Sequence, residues 1–433
     1  MNEVVVGVIA LVIILALFMT GIELALAMTI VGFIGFGYLI SFTAAFNLLA
    51  KDFYDTFNSY GLTVVPLFIL MGQIAYNAGI AKRLYGTAHK FIGHIPGGLA
   101  IATVMGATAF KAICGSSPAT AATFAAVAVP EMERYGYDKR LSNGVVATVG
   151  TLGMIIPPSV TLIIFGLITE QSIGALFMAG AVPGLMLALF YVFVIVGWCK
   201  INPAIGPKGE RYAWKERMKS LPEAIWPILI FIVMIGGLLK GVFTPTEAGS
   251  IATVAVLLLS VFKKDISFMG YVKSVAESLR TAGMMFFLLA GSAVLGHFLT
   301  VTKIPMVAAE WIVSLPFPGY IIIVLIMLIY LIGGSFLDDL AFMILATPIF
   351  FPAVVKLGYD PLWFGIVIAM TIMIGVVVPP VAICVFVVKN VTKVPFKTIY
   401  AGVYPFLVAM IFCIFLSFIF PQIVTFLPHM FYE

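Results

Sequence analysis

The chain has 433 residues, 62% of them hydrophobic and 10% charged, with a formal net charge of +5. Soluble domains run near half apolar and a quarter charged, and a soluble core of this size could not hide so much apolar surface. These figures exclude a soluble globular class and leave an all-α polytopic membrane protein, since apolar runs of about 18 or more residues recur along the whole chain.

The first run, 4–20, follows only Met-Asn-Glu, so it reads as a retained helix and not a cleaved signal peptide. Further spans are predicted at 24–41, 61–79, 141–168, 185–199, 225–241, 246–262, 281–301, 361–388 and 400–420. Segments 97–133 and 319–352 are too long for one span and have polar middles. Each is expected to fold back as a re-entrant hairpin. Two full spans apiece would leave the sidedness of everything else unchanged. Residues 265–280, DISFMGYVKSVAESLR, put Phe268, Val272, Val275 and Leu279 on one helical face and predict a helix lying flat on the inner surface, with a solvated linker as the alternative. Trp198, Trp226 and Trp363 fall at predicted span ends, where an amphipathic ring belongs. Cys114, Cys199, Cys384 and Cys413 show no metal-ligand spacing, and no phosphate-binding GxxxxGK[ST] loop is present.

Basic residues set the orientation. With the N-terminus outside, nineteen Lys and Arg face the cytoplasm, among them Arg83, Arg134, Arg140, Arg217, Lys263 and Lys389. The outside receives four, Lys51, Lys240, Lys303 and Lys356. Lys111 lies at membrane depth, and the C-terminal PQIVTFLPHMFYE, without Lys or Arg, falls outside.

A shift of 222 residues superposes the two halves: Pro96-Gly97 on Pro318-Gly319, Pro130 on Pro352, Gly153 on Gly375, Pro157-Pro158 on Pro379-Pro380, Pro183 on Pro405, and one Gly-Tyr-Asp on another at 136–138 and 358–360. Glu23 meets Glu247 at a shift of 224. Five spans separate equivalent elements, and an odd number inverts the second half. The fold expected is therefore an inverted repeat of two five-span halves, 1–222 and 223–433. The first half holds hairpin 97–133 and broken helix 141–168, the second hairpin 319–352 and broken helix 361–388. This design is typical of secondary transporters.

Proline inside a helix removes a hydrogen bond and clashes with the preceding turn, at roughly 3 kcal/mol or more. Each Pro-Pro segment is thus expected to form two half-helices with an extended piece between. The freed backbone groups are tolerable only against protein or a water-filled cavity. Exposed carbonyls suit Na+, and half-helix N-termini suit a carboxylate. The hairpin tips, CGSSPAT at 114–120 and GGSFLDDLAF at 333–342, are expected to meet these breaks, with Asp338-Asp339 aligned on Ser116-Ser117. Lys111 either meets an anionic substrate, pairs with an Asp of the second hairpin, or snorkels.

GSSPATAATFAAVAVPEMERYGYDKRL, GTLGMIIPPSVTLIIFGLITEQSIGALFMAGAVPG, TPTEAGSIA and FLDDLAFMILATPIFFPAVVKLGYDPLWFGIV resemble the large membrane subunit of tripartite ATP-independent periplasmic (TRAP) transporters, over nearly the whole chain. The resemblance implies an elevator with mobile hairpins and broken helices on a scaffold of the other spans. It also implies a bacterial inner-membrane importer, Na+-driven and independent of ATP, with both termini periplasmic. The cargo would be an organic anion such as a C4-dicarboxylate or sialic acid. A periplasmic substrate-binding protein would deliver it, and a small membrane subunit, here a separate chain, would complete the translocator. Membrane lipid is the other partner, and no nucleic acid is called for. By position, a first Na+ site falls to Gly115, Ser116 and Ser117 with Thr151, Gly153 and Pro157. A second falls to Gly334, Ser335, Asp338 and Asp339 with Thr371, Gly375 and Pro379. Substrate would lie between the tips, at Ser116, Ser117, Lys111, Ser335 and Asp338. This chain has Thr371, Val378 and Ala382 where many members carry Asn, Thr and Gly, so backbone carbonyls are expected to serve at the second site. The competing readings are a self-sufficient Na+/anion symporter, an intramembrane enzyme and a channel. Adjacent aspartates make a poor catalytic dyad, and a pore needs no pair of broken helices.

Overall fold

The computed structural model describes residues 3–114 and 116–432, and every regular element among them is helical. The first half runs α1 (Glu3–Met19), α2 (Leu24–Leu39), α3 (Phe42–Phe57), α4 (Val64–Asn77), α5 (Ile80–Ile92), the hairpin α6 (Gly98–Cys114) and α7 (Ser117–Arg134), α8 (Lys139–Val149), α9 (Val160–Thr169) and α10 (Ile173–Ile201). The second runs α11 (Trp214–Leu239), α12 (Pro245–Lys263), α13 (Phe268–Val301), α14 (Ile304–Ser314), the hairpin α15 (Gly319–Phe336) and α16 (Asp339–Lys356), α17 (Pro361–Gly375), α18 (Ile383–Thr392), α19 (Phe396–Ile419) and α20 (Gln422–Tyr432). Among the described residues seven helices are long and apolar enough to cross a bilayer. The other predicted spans are built from shorter helices, α1, α2 and α4 with 17, 16 and 14 residues and the two broken segments with 10 to 15 per piece.

Local chemistry sets many of these ends. Asp138 and Asp360 close the two Gly-Tyr-Asp turns by accepting hydrogen bonds from the Arg140 and Trp363 N–H groups, which starts α8 and α17. Thr244 and Glu247 form a reciprocal capping box at α12. Helix bounds also follow the 222-residue shift, which carries α7 onto α16. One pair of elements departs from it. In the first half α3 and the helical segment ending in α4 meet at 55°. In the second half the equivalent residues fuse into α13, 34 residues long. Asn58-Ser59-Tyr60 interrupts the first, while Arg280-Thr281-Ala282 continues the second. The separate surface helix predicted at 265–280 is therefore not formed, because those residues are the first turns of a continuous helix.

Other expectations also change. Trp363 is 2% exposed, donates its indole N–H to the Ser417 carbonyl at 2.8 Å and packs between Tyr359 and Phe418, so it is a core residue and not an interfacial anchor. Trp226 is exposed as expected, and all four cysteines are buried. Residue 222 falls inside α11, which begins in the polar stretch at Trp214. Helices α3, α5, α14 and α20 have no predicted span, since none is a long apolar run.

Helices of one half pack on helices of the other throughout. In one group α2 lies on α13, and α4 on α12. In the other α7 lies on α18, α8 on α19, and α9 on α16. At the α8–α19 crossing the backbones touch through Gly144 and Gly402, and a Cβ on Gly402 would land on the Arg140 carbonyl. Such close crossings between small residues are how membrane helices gain packing energy without a hydrophobic drive. At the basic-rich face, Arg83 donates to both carboxylate oxygens of Asp265, at 2.7 and 2.5 Å. Glu223 bridges Arg83 and Lys263, at 3.4 and 2.6 Å. These pairs tie α5 to α11 and to the turn between α12 and α13.

Two outcomes are expected for stability. Gly402→Leu should lower the thermal midpoint in detergent, with a destabilisation of about 1–3 kcal/mol from overpacking; an unchanged midpoint would mean that the α8–α19 crossing is not tight. Ala382 holds a left-handed backbone, φ 47°, which a Cβ disfavours. Ala382→Gly should therefore raise the midpoint, by about 1 kcal/mol of stability, and Ala382→Val should lower it.

Candidate substrate and cation site

Both proline pairs interrupt helical structure. After α8 the chain makes a tight turn over Gly150–Met154, and regular helix resumes only at Val160. Ser159 makes good part of the lost bonding: its hydroxyl donates to the Met154 carbonyl at 2.6 Å and accepts from the Leu162 N–H at 3.3 Å. In the second break, between α17 and α18, the equivalent position is Val381, which has no hydroxyl. There the backbone reaches across to the hairpin instead, and the Val381 N–H donates to the Ser335 carbonyl at 3.2 Å. Both Pro-Pro bonds are cis. Pro157 is buried, whereas Pro379 is exposed.

Each hairpin covers the break of its own half. Gly375 abuts the backbone of Gly334 and Ser335 so closely that a Cβ would stand 2.8 Å from the Gly334 carbonyl carbon. In the first half a Cβ on Gly150 would stand 3.2 Å from the Ser117 carbonyl oxygen, and one on Gly153 would run into the Lys111 side chain. The glycine side of each break is thus lined by protein, while Pro379 and Pro380 of the second stand exposed.

The two tips open into one cavity of about 480 Å³. Ser116, Ser117, Asp338 and Asp339 line it, together with Val160 and Thr161 at the start of α9. Its far wall is made by α2, α4 and α13, with Glu23, Gln73 and Thr281 as polar groups and Met284, Met285 and Leu288 as apolar ones. Three helix N-termini, of α7, α9 and α16, come to this cavity. Ser116 caps the first of them, accepting from the Ala119 N–H at 3.4 Å, and Asp338 stands at the cap position of the third. N-termini carry partial positive charge and free N–H groups, which favour an anion. Yet the charged side chains lining the cavity, Glu23, Asp338 and Asp339, are all acidic. The wall therefore offers carboxylates to cations and backbone dipoles to an anion.

Of the residues singled out in the sequence, Ser116, Ser117, Asp338 and Asp339 come together at the cavity. Gly334 and Ser335 sit one turn behind, against the second break, and the Ser335 hydroxyl donates to the Leu331 carbonyl at 2.7 Å. Thr151 and Thr371 are buried and donate their hydroxyls within their own segments, to the Thr148 and Val367 carbonyls, both at 2.8 Å. Gly153, Gly375 and Pro157 are buried at the breaks and Pro379 is exposed at its break, all away from the cavity lining. Lys111 is fully buried behind the first tip and does not line the cavity. Gly115 lies outside the described residues. Glu23, Gln73, Thr161 and Thr281 are cavity groups that sequence reasoning did not select. Glu23, a carboxylate between two apolar spans, was the one with a signal.

The chain matches the model of the family described as tripartite ATP-independent periplasmic transporter, DctM component, over residues 11–423. It is 35% identical to the C4-dicarboxylate TRAP transporter large permease protein DctM of Pseudomonas aeruginosa, over 88% of this chain and 87% of that one. It is 31% identical to the sialic acid TRAP transporter large permease protein SiaM of Vibrio cholerae, over 92% and 93%. Among solved structures the YdaH transporter of Alcanivorax borkumensis shares the fold, with a TM-score of 0.64 at 12% identity, over 89% of this chain and 90% of that one. From the family match and these identities, the chain belongs to the DctM component, the large permease, of the TRAP transporters.

Proposed function

We propose that the protein performs Na+-coupled uptake of a small organic anion across a bacterial inner membrane. A periplasmic binding protein delivers the anion, and a small membrane subunit completes the translocator. The observation that carries this reading is the cavity itself: two hairpin tips and a broken helix place three helix N-termini beside three carboxylates. An anion entering alone would meet the repulsion of Glu23, Asp338 and Asp339. Cations bound at the tips remove that repulsion and leave the helix N-termini to hold the substrate. Binding of the two is then mutually favourable, which is the thermodynamic basis of symport. The relatives named for C4-dicarboxylates and sialic acid argue for a carboxylate as the anion.

Inverted halves, 1–222 and 223–433 in outline, account for how the tips meet. Basic-residue counting places the open ends of the hairpins on opposite faces, with both termini periplasmic. Tips that enter from opposite faces and share a cavity do so near mid-depth. In the elevator reading the hairpins and broken helices, α6–α9 and α15–α18, move together past a scaffold of the other spans. The cavity lies where these groups face each other, with Ser116 and Asp338 on the mobile side and Gln73 and Thr281 on the scaffold.

The test is uptake of radiolabelled succinate and sialic acid by proteoliposomes holding the chain with its small subunit, with the binding protein outside. An inward Na+ gradient should drive accumulation, and choline in its place should abolish it. Equal uptake without Na+, or without the binding protein, would contradict the proposal. Ser117→Ala and Asp339→Asn should each raise the half-saturating Na+ concentration roughly tenfold, equivalent to about 1.4 kcal/mol, while the complex still assembles. Unchanged Na+ dependence in both would remove the tips from the cation site.

A further inference from the structure

Lys111 is the one charged residue in the first arms of the two hairpins, α6 and α15. Its side chain is 0% exposed, its Nζ has no hydrogen-bond partner among the described residues, and it lies against Gly153 of the first break. Lys111 lies in the last turn of α6, and Cys114, which ends that helix, lines the same cavity as Asp338 and Asp339 of the other hairpin. Lys111 and Asp339 form no direct ion pair within 4 Å.

A buried ammonium with no hydrogen bond is costly at membrane depth, and residues of this kind in membrane helices serve ions and substrates far more often than packing. Its location says which. From behind the first tip it cannot touch a substrate in the cavity, but it adds positive charge to the region where Asp338 and Asp339 gather negative charge. Hairpins, breaks and tips would move as one body through a low-dielectric surrounding, where net charge is penalised. Counted over the tips and this lysine, that body carries two carboxylates and one ammonium.

We propose that Lys111 is a built-in counter-cation of the hairpin tips. It supplies by covalent attachment one of the positive charges that bound Na+ would otherwise supply, so the transporter takes up one Na+ fewer than it would without the lysine. This rests on the Na+-coupled reading above and adds to it a residue that fixes the ion count.

The experiment is equilibrium binding of radiolabelled Na+ to the purified complex of this chain and its small subunit, with choline balancing ionic strength and no organic substrate. Lys111→Met keeps the bulk of the side chain and removes the charge. It should bind one more Na+ per complex than the unaltered protein, and adding Asp339→Asn to it should return the number to the starting value. An ion count in Lys111→Met equal to that of the unaltered protein overturns the proposal, as does a double variant that keeps the extra ion. Should Lys111→Met not yield monodisperse complex, Lys111→Gln carries the same expectation and the same refutation. Absence of Na+ binding by the unaltered complex would instead sink the Na+-coupled reading, so the two failures are told apart.

Discussion

Backbone N–H and C=O groups have no water to turn to at membrane depth, so any interruption of a helix there must be covered by protein or open onto a polar chamber. This chain interrupts two helices with paired prolines and answers each with a hairpin. Gly334 and Ser335 close over the second break and Ser117 over the first. The breaks and the tips are therefore one structural unit. Once the covering hairpins are in place, their tips and the start of α9 are left facing a common space, and that space is the cavity. A change that straightened either broken helix would remove the reason for its hairpin to sit where it does.

The two halves solve this problem with different chemistry. Ser159 bonds the Met154 carbonyl within the first break, whereas Val381 at the equivalent place sends its N–H to Ser335 of the hairpin. The second break is thereby bound directly to its tip, and movement of that tip disturbs the bonding of the break. The first break is satisfied from within and carries a buried lysine against Gly153. Equivalent positions at the tips hold hydroxyls in one half and carboxylates in the other, Ser116-Ser117 against Asp338-Asp339. The tips are therefore chemically unlike, with a buried lysine behind the first and two carboxylates on the second.

Much of this was legible in the sequence because Gly and Pro have few uses in apolar runs. Pro157-Pro158 and Pro379-Pro380 marked the breaks, and the polar residues within 114–120 and 333–342 marked the tips. What the sequence concealed lay in elements without a long apolar run or a periodic signature. Helix α3 is amphipathic and short. The fusion of 265–280 into α13 depends on the absence of a breaking residue at Arg280-Thr281-Ala282, a weaker signal than the presence of one. Trp363 has the sequence position of an interfacial anchor, and its burial and its bond to Ser417 show it to be core. The scaffold side of the cavity was hidden for a plainer reason: Gln73 and Thr281 belong to no motif, and only tertiary packing brings them opposite the tips.

Membership of the TRAP large permease family and the acid-lined cavity converge on one central claim, that both hairpin tips face a single chamber occupied by cations and an anion. Substituted-cysteine labelling tests it most directly. In a background freed of Cys114, Cys199, Cys384 and Cys413, Ser116→Cys and Asp338→Cys would be probed in oriented membrane vesicles with a membrane-impermeant maleimide, with Na+ or choline present. The account predicts that both positions label from the same side of the membrane and that Na+ slows both reactions together. Labelling of the two positions from opposite sides, or rates indifferent to Na+, would contradict it.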